Sequence, residues 1–388
     1  MVDAAANFTR NLLSYSPGIH DVVAAADEAP TNSTLNAYAA AVSLSGMTPA
    51  SYTAATPYLR RAVSSAKTPD DAALAAAMQA WHMGEPAKAI GLLRQRIGRR
   101  PDDLASLKLC QLLHLDLCDF SGMVETIQAV LPHHADNHFV LGQLAFALEE
   151  AGRGEEAGRF ARLALAGAEQ SGADDPWSVH AYMHALHRRG PLQQSIDLVV
   201  RCKSMWARCG SFMQLHAWWH AAIALLDLGR HDAAIGVYDA HLASADAACV
   251  QSLVARVSLL ARMELLEVDV GGRWQPLKEA LHERAGDGIN GFLDVHYVYG
   301  LALSGAPDAA RTASARLSGL SKLAAEALLD HAAGRYDQAA YSLAALGPGL
   351  QRLGGSHEQR QLYGLVERDA ARRAARLKRA SDRPGMFA

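Results

Sequence analysis

Two stretches of this 388-residue chain place histidines four residues apart: Trp177-Ser-Val-His180-Ala-Tyr-Met-His184 and His216-Ala-Trp-Trp-His220. Side chains four apart on an α-helix stand one above the other on one face. His180 and His184 therefore form one imidazole column, and His216 and His220 form a second. The pairs begin 36 residues apart, close to one helix–turn–helix repeat of about 34 residues. In such a repeat, both columns face one groove from neighbouring layers.

Imidazoles in that arrangement admit three kinds of chemistry. They could pair with backbone or carboxylates inside the fold and do no more than satisfy buried polar groups. Beside Trp177, Tyr182, Trp218 and Trp219 they could grip a peptide or a small polar molecule. They could also hold a divalent metal, since an i, i+4 His pair offers two nitrogens to one ion. Asp294 and His296 are then candidates for further ligands, and Asp239 for a carboxylate behind them. Neither pair reads His-Glu-x2-His, so the zincin base is missing. No Glu-x2-His pattern joins them, so a di-iron bundle is unsupported. His180 and His184 lie ten and six residues before Gly190, whereas His216 and His220 lie thirteen and nine before Gly229. That is an offset of about one helical turn, so the columns are expected to be staggered along the groove.

A second candidate sits near the C-terminus. His357 follows Gly354-Gly355-Ser356 at an expected helix start, where free N–H groups and the helix dipole favour an anion. Arg360 lies one turn on and could bind the same carboxylate or phosphate. The simpler alternative makes Ser356 an N-cap. Asp294 and His296 are two apart and do not share a helical face. No nucleophile elbow, P-loop or dinucleotide fingerprint occurs, and Cys202 and Cys209 fit helix packing better than nucleophilic catalysis.

The elements that must position these residues read as helices. Residues 81–93, 149–161, 187–199, 226–238 and 331–343 share one grammar: a helix end, a Gly, a few polar residues, then Ala or Ser, then an apolar turn. Gly84, Gly152, Gly190, Gly229 and Gly334 are the expected left-handed C-caps. Residues 117–131 fill the repeat between Gly84 and Gly152 without a clean Gly. Thr48-Pro49 and Thr68-Pro69-Asp70-Asp71 open helices. No window shows the strict alternation of a strand with turn signals.

Composition narrows the partners. Half the residues are apolar, and 37 basic residues against 40 acidic ones leave a formal charge of −3. Bulk charge gives no case for a nucleic-acid or acidic-membrane partner. Cys110, Cys118, Cys202, Cys209 and Cys249 are scattered and odd in number, which fits a reducing cytoplasm better than a disulfide framework. The start, Met-Val-Asp-Ala-Ala-Ala-Asn, lacks the basic and apolar regions of a signal peptide. No long uncharged apolar run suggests a membrane span. The basic run Arg368, Arg372, Arg373, Arg376, Lys378, Arg379 and Arg383 reads as a solvated, fraying helix.

From about residue 34 to 371 the order of features resembles the tetratricopeptide repeat protein 38 family. The resemblance rests on Gly142 to Gly152, Trp177 to His184, His216 to His220, Leu228 to Asp239, Asp294-Val295-His296 and Gly354-Gly355-Ser356-His357-Glu358-Gln359-Arg360. It implies a superhelix of tetratricopeptide-like helix pairs and no general activity.

The fold expected is all-α, a right-handed superhelix of tetratricopeptide-like pairs curled around a concave pocket. Residues 1–33 form a helical lead-in, 34–371 the solenoid (most regular over 70–245) and 372–388 a basic tail. The function expected is binding of a small molecule or peptide in a pocket lined by the four histidines, Trp177 and Trp219, with Asp239, His357 and Arg360 as further contacts. The first alternative is an enzyme in which the His cluster, with Asp294, His296 and His357, does metal-dependent or acid–base chemistry. The second is a structural adaptor that meets proteins through its outer faces.

Overall fold

The structure, a computed structural model, describes residues 3–244 and 249–381. Among the described residues there are 22 α-helices and no strand. The chain divides into two compact units, Met1–Cys249 and Val250–Ala388.

The first unit is a run of antiparallel helix pairs. Their first helices are Ser33–Leu44, Pro69–His82, Leu104–Leu117, His138–Glu150, Pro176–Arg189 and Ser211–Asp227. Each packs against the helix that follows it, and the last three also pack on one another in turn. Local chemistry sets the ends. Thr48 and Thr68 each close a capping box, with Ser51 and Asp71 respectively, and Pro49 and Pro69 occupy the first turn, where a missing N–H does no harm.

Helix ends follow the expected grammar at four of the five glycines. Gly84, Gly152, Gly229 and Gly334 have φ of 73°, 79°, 70° and 76°, the left-handed region that glycine enters without a Cβ penalty. In the repeat lacking a clean Gly, Cys118 takes that conformation at φ 53°. Gly190 is the exception, with φ −105° and ψ −179°. Pro191 follows it, and a residue before proline is pushed out of the helical region toward extended backbone. Glycine is required there for space, because a Cβ would lie 2.9 Å from the Cα of Leu186.

The N-terminal segment crosses the first helices of the array. Ala4–Leu13 packs on Ser33–Leu44 and Leu104–Leu117. Phe8 stacks on Tyr38 at 4.2 Å, and Tyr15 stacks on Trp177 at 5.7 Å. The Gly210 N–H donates to the Tyr15 carbonyl at 2.7 Å.

The second unit holds Val250–Leu265, Lys278–Arg284, the pairs Gly291–Leu303 with Pro307–Ser314 and Gly319–Ala332 with Tyr336–Leu346, and the long His357–Ser381. The break expected around Gly271 is a 3-10 helix, Gly271–Leu277. Part of the basic run is paired rather than simply solvated. Arg372 and Arg373 each donate to Asp369 at 2.6 Å, and Arg372 also meets Glu267 at 3.2 Å. Residues 382–388, with Arg383, lie outside the described residues.

Two glycines of one repeat test the capping argument. Gly84 sits at φ 73° and Gly91 lies within the helix Pro86–Arg99, and a Cβ at either would meet nothing within 4 Å. Gly84→Ala is therefore expected to lose about 1 kcal/mol from backbone strain, and Gly91→Ala to gain about 0.5–1 kcal/mol from helix propensity. Urea unfolding of both variants reads the sign; equal effects would contradict the assignment.

Candidate metal centre

The helix Pro176–Arg189 is fixed at its start by a local network. Asp175 is its N-cap, accepting from the Ser178 N–H at 2.9 Å. The other carboxylate oxygen meets His138 Nδ1 at 2.7 Å. Ser178 Oγ donates to the His138 carbonyl at 3.1 Å. A Cβ on Gly142 would lie 2.5 Å from that Oγ, so glycine allows His138–Glu150 to approach this closely. The contact sets the register of the helix that carries His180 and His184.

The four imidazoles converge. His180 Nε2 lies 3.0 Å from His184 Nε2, 3.0 Å from His216 Nε2 and 3.2 Å from His220 Nε2, and His216 and His220 meet at 3.2 Å. The offset counted from Gly190 and Gly229 does not stagger the columns. Gly190 is not a left-handed cap, so it does not mark the same point of its repeat as Gly229 does.

The rings are interior. Exposures are 2%, 0%, 5% and 0% for His180, His184, His216 and His220. Trp177 and Trp219, expected to line an open groove, are buried walls. Trp177 lies 4.7 Å from His180 and Trp219 stacks on His216 at 5.4 Å. An apolar interior of repeat helices, with Tyr15 laid over Trp177, encloses what the sequence presented as a groove face.

Protons alone cannot satisfy this geometry. A ring nitrogen has one in-plane site, either an N–H or a lone pair. Four such nitrogens can therefore form at most two N–H···N bonds, and His180 Nε2 faces three partners at once. The remaining contacts oppose lone pair to lone pair or hydrogen to hydrogen. Burial, and then the neighbouring imidazoles, hold His180 and His220 well below the ordinary histidine range. Both are neutral near pH 7, with lone pairs to give. Their Nδ1 atoms have no hydrogen-bond partner among the described residues.

One carboxylate pair lies on the far side of His184. Its Nδ1 is 3.6 Å from Glu149 Oε2 and 3.9 Å from Glu150 Oε1. Glu149 Oε1 accepts from Arg188 Nη1 at 3.1 Å. These glutamates are buried, at 0% and 8% exposure, and sequence reasoning passed over them as a polar helix end. A signal was available: three residues before the capping Gly, the other repeats carry Trp81, Leu226 and His331, all buried. A charged residue at that place is an inward-facing one. The same position holds His331, whose Nε2 meets Asp369 at 2.8 Å and whose Nδ1 meets the Tyr299 hydroxyl at 3.1 Å. Lys108, also unremarked in the sequence, is buried against Trp177, its Nζ 3.3 Å from a ring centroid of that indole and 2.8 Å from Gln111 Oε1.

Asp239 is exposed, on the π-helical turn Tyr238–Leu242. Asp294, His296, His357 and Arg360 belong to the second unit. His296 Nδ1 bonds the Phe292 carbonyl at 2.8 Å, and burial lowers the ring to about 4. Ser356 and Gln359 form a capping box: Ser356 N–H donates to Gln359 Oε1 at 2.8 Å, and Gln359 N–H to Ser356 Oγ at 3.4 Å. Arg360 Nη1 donates to the Gly355 carbonyl. Ser356 thus serves as the N-cap of the simpler alternative.

No protein-family model matches the chain. Among solved structures, a complex described as Naa15/Naa10 bound to HypK-THB aligns over 96% of this chain at 13% identity and a TM-score of 0.26. This chain covers 66% of that one, a little under two thirds of its length. A similarity this low carries no argument about fold or function. No helix among the described residues is long and apolar enough to cross a membrane.

Asp294 offers a test of burial in the second unit. Burial raises its carboxyl to about 6 although the Gly288 N–H bond opposes the shift. A carboxyl raised in the fold contributes stability that is present below its unfolded value near 4 and lost as pH climbs through 6. Asp294→Asn is expected to be about 1–2 kcal/mol more stable than the parent at pH 7.5 and equal to it at pH 4. Thermal melts at the two pH values decide; a pH-independent difference would contradict it.

Proposed function

We propose that the first unit is a helical-repeat scaffold stapled by one divalent transition-metal ion, with His180, His184, His216 and His220 as ligands through Nε2. The single observation behind this reading is the crowding of four buried ε nitrogens at 3.0–3.2 Å. Metal–imidazole bonds of about 2.0–2.1 Å in a tetrahedron separate the nitrogens by roughly 3.3–3.4 Å. The present spacing needs only a few tenths of an ångström of adjustment around an ion. All four nitrogens lie within 4.8 Å of one another and all four residues are buried.

Imidazole ligands suit zinc, copper, iron, cobalt or nickel, and a compact four-nitrogen shell fits zinc or cobalt well. Catalytic zinc keeps a position for water or substrate, whereas structural zinc is closed by four protein ligands. Four buried imidazole ligands leave no such position, which supports a structural ion over a catalyst. The ligand of these rings is then a cation rather than a peptide or small polar molecule. At the level of the whole chain, the role that accompanies it is partner binding on the surface of a repeat array. The resemblance to the tetratricopeptide repeat protein 38 family supports the scaffold and adds no activity.

Untagged protein expressed with zinc and cobalt supplementation is expected to carry at least one divalent ion per chain by mass spectrometry. Stripping that ion should lower the melting temperature by about 5 °C or more. His220→Ala should hold less than about a tenth of the zinc or cobalt bound at this centre, since a buried ion loses one of four ligands. A wild-type chain that is metal-free under both supplements, with a melt indifferent to chelator, would overturn the reading.

A further inference from the structure

We propose that Glu149, Glu150 and His184 form a second divalent-cation site beside the first, with the His184 imidazole shared between the two ions through Nε2 and Nδ1. The inference rests on the four-imidazole reading above and extends it to a two-ion centre. Its geometric basis is the pair of contacts at His184 Nδ1, 3.6 Å to Glu149 Oε2 and 3.9 Å to Glu150 Oε1. A charge-assisted N–H···O bond would be about 2.7–2.9 Å, so these groups are gathered without being bonded directly. An ion with bonds of about 2.0–2.2 Å spans the same separations at angles of roughly 115–140°.

An independent observation points into that space. Glu149 Oε2 is buried and has no hydrogen-bond partner among the described residues, although its twin Oε1 accepts from Arg188 at 3.1 Å. A buried carboxylate oxygen is expected to be paired, hydrogen-bonded or bound to metal. The guanidinium of Arg188 answers Oε1, and a divalent ion on the other side of the carboxyl would answer Oε2.

The chemistry balances. As the second ion binds, the proton on His184 Nδ1 leaves to solvent and the freed electron pair forms the new metal–nitrogen bond. The ring becomes an imidazolate between two cations, and the two carboxylates supply oxygen. One nitrogen and two anionic oxygens suit zinc, manganese or iron(II). The first site is all nitrogen and the second is mostly oxygen, so the two positions differ in the ions they prefer.

The test uses the full untagged chain, loaded with zinc or with copper(II) and freed of excess ion. Wild type is expected to hold two zinc ions per chain, and the E149Q/E150Q variant one. With copper(II), an imidazolate bridge couples the two spins, so wild type should show a much-reduced paramagnetic signal and E149Q/E150Q the full signal of one isolated ion. Arg188→Gln leaves all three ligand atoms in place and should keep two ions. One ion in wild type, or a merely weaker single ion in E149Q/E150Q, would make the glutamates orienting partners of His184 and overturn the second site while the first stands. No ion in wild type would remove both. If E149Q/E150Q does not fold, wild-type zinc content and copper coupling decide alone.

Discussion

Four imidazole nitrogens crowded into one buried space cannot all be satisfied by protons, and the packing of the first unit holds them together. The helix that carries His180 and His184 is tied to its neighbour His138–Glu150 at both ends. Asp175 and Ser178 tie the start of Pro176–Arg189 to the His138 layer, and Gly142 removes the Cβ that would keep the layers apart. Trp177, Trp219 and Phe146 close the sides. The imidazoles are therefore preorganised by packing, as a metal site with high affinity requires. A polar network that is only half satisfied destabilises a fold more than an apolar core would. An ion among the four lone pairs converts that liability into a cross-link between two consecutive repeats.

The charge of such a centre follows from the same contacts. Four neutral imidazoles leave a divalent ion's charge undiminished in a low-dielectric interior. Glu149 and Glu150, reached through His184, are buried carboxyl groups beside it. Carboxylates behind ligating histidines commonly fix the ring and raise its basicity. Here the carboxylate side is rich enough to be considered a ligand set in its own right. The imidazole that links both sides belongs to a helix whose end, at Arg188, also pairs with Glu149.

Much of this was legible in the residues. The helical class, the repeat grammar and most of the glycine caps follow from composition and spacing, because a left-handed C-cap leaves a one-residue signature. The His-x3-His pairs one repeat apart were enough to place four imidazoles on facing helices. Depth was not legible. His and Trp on one helical face suit an open groove and a buried core equally, and the structure buries them, with Tyr15 stacked on Trp177. Glu149 and Glu150 were hidden by position, since acidic pairs near a helix end are ordinarily solvated. Gly190 misled the register count, because proline after it overrides the capping conformation. Asp294, His296, His357 and Arg360 stand in the second unit, where Asp294 accepts from the Gly288 N–H, His296 bonds the Phe292 carbonyl beside the rings of Phe292 and Tyr363, and Arg360 donates to the Gly355 carbonyl. A single sequence has no term for which repeats share a layer.

The central claim is the ion itself, and anomalous diffraction tests it most directly. Crystals of the untagged chain, grown with zinc and measured on both sides of its absorption edge, should show one strong peak about 2.0–2.1 Å from Nε2 of His180, His184, His216 and His220. An ordered cluster of these four rings at zinc saturation with no peak between them would contradict the account.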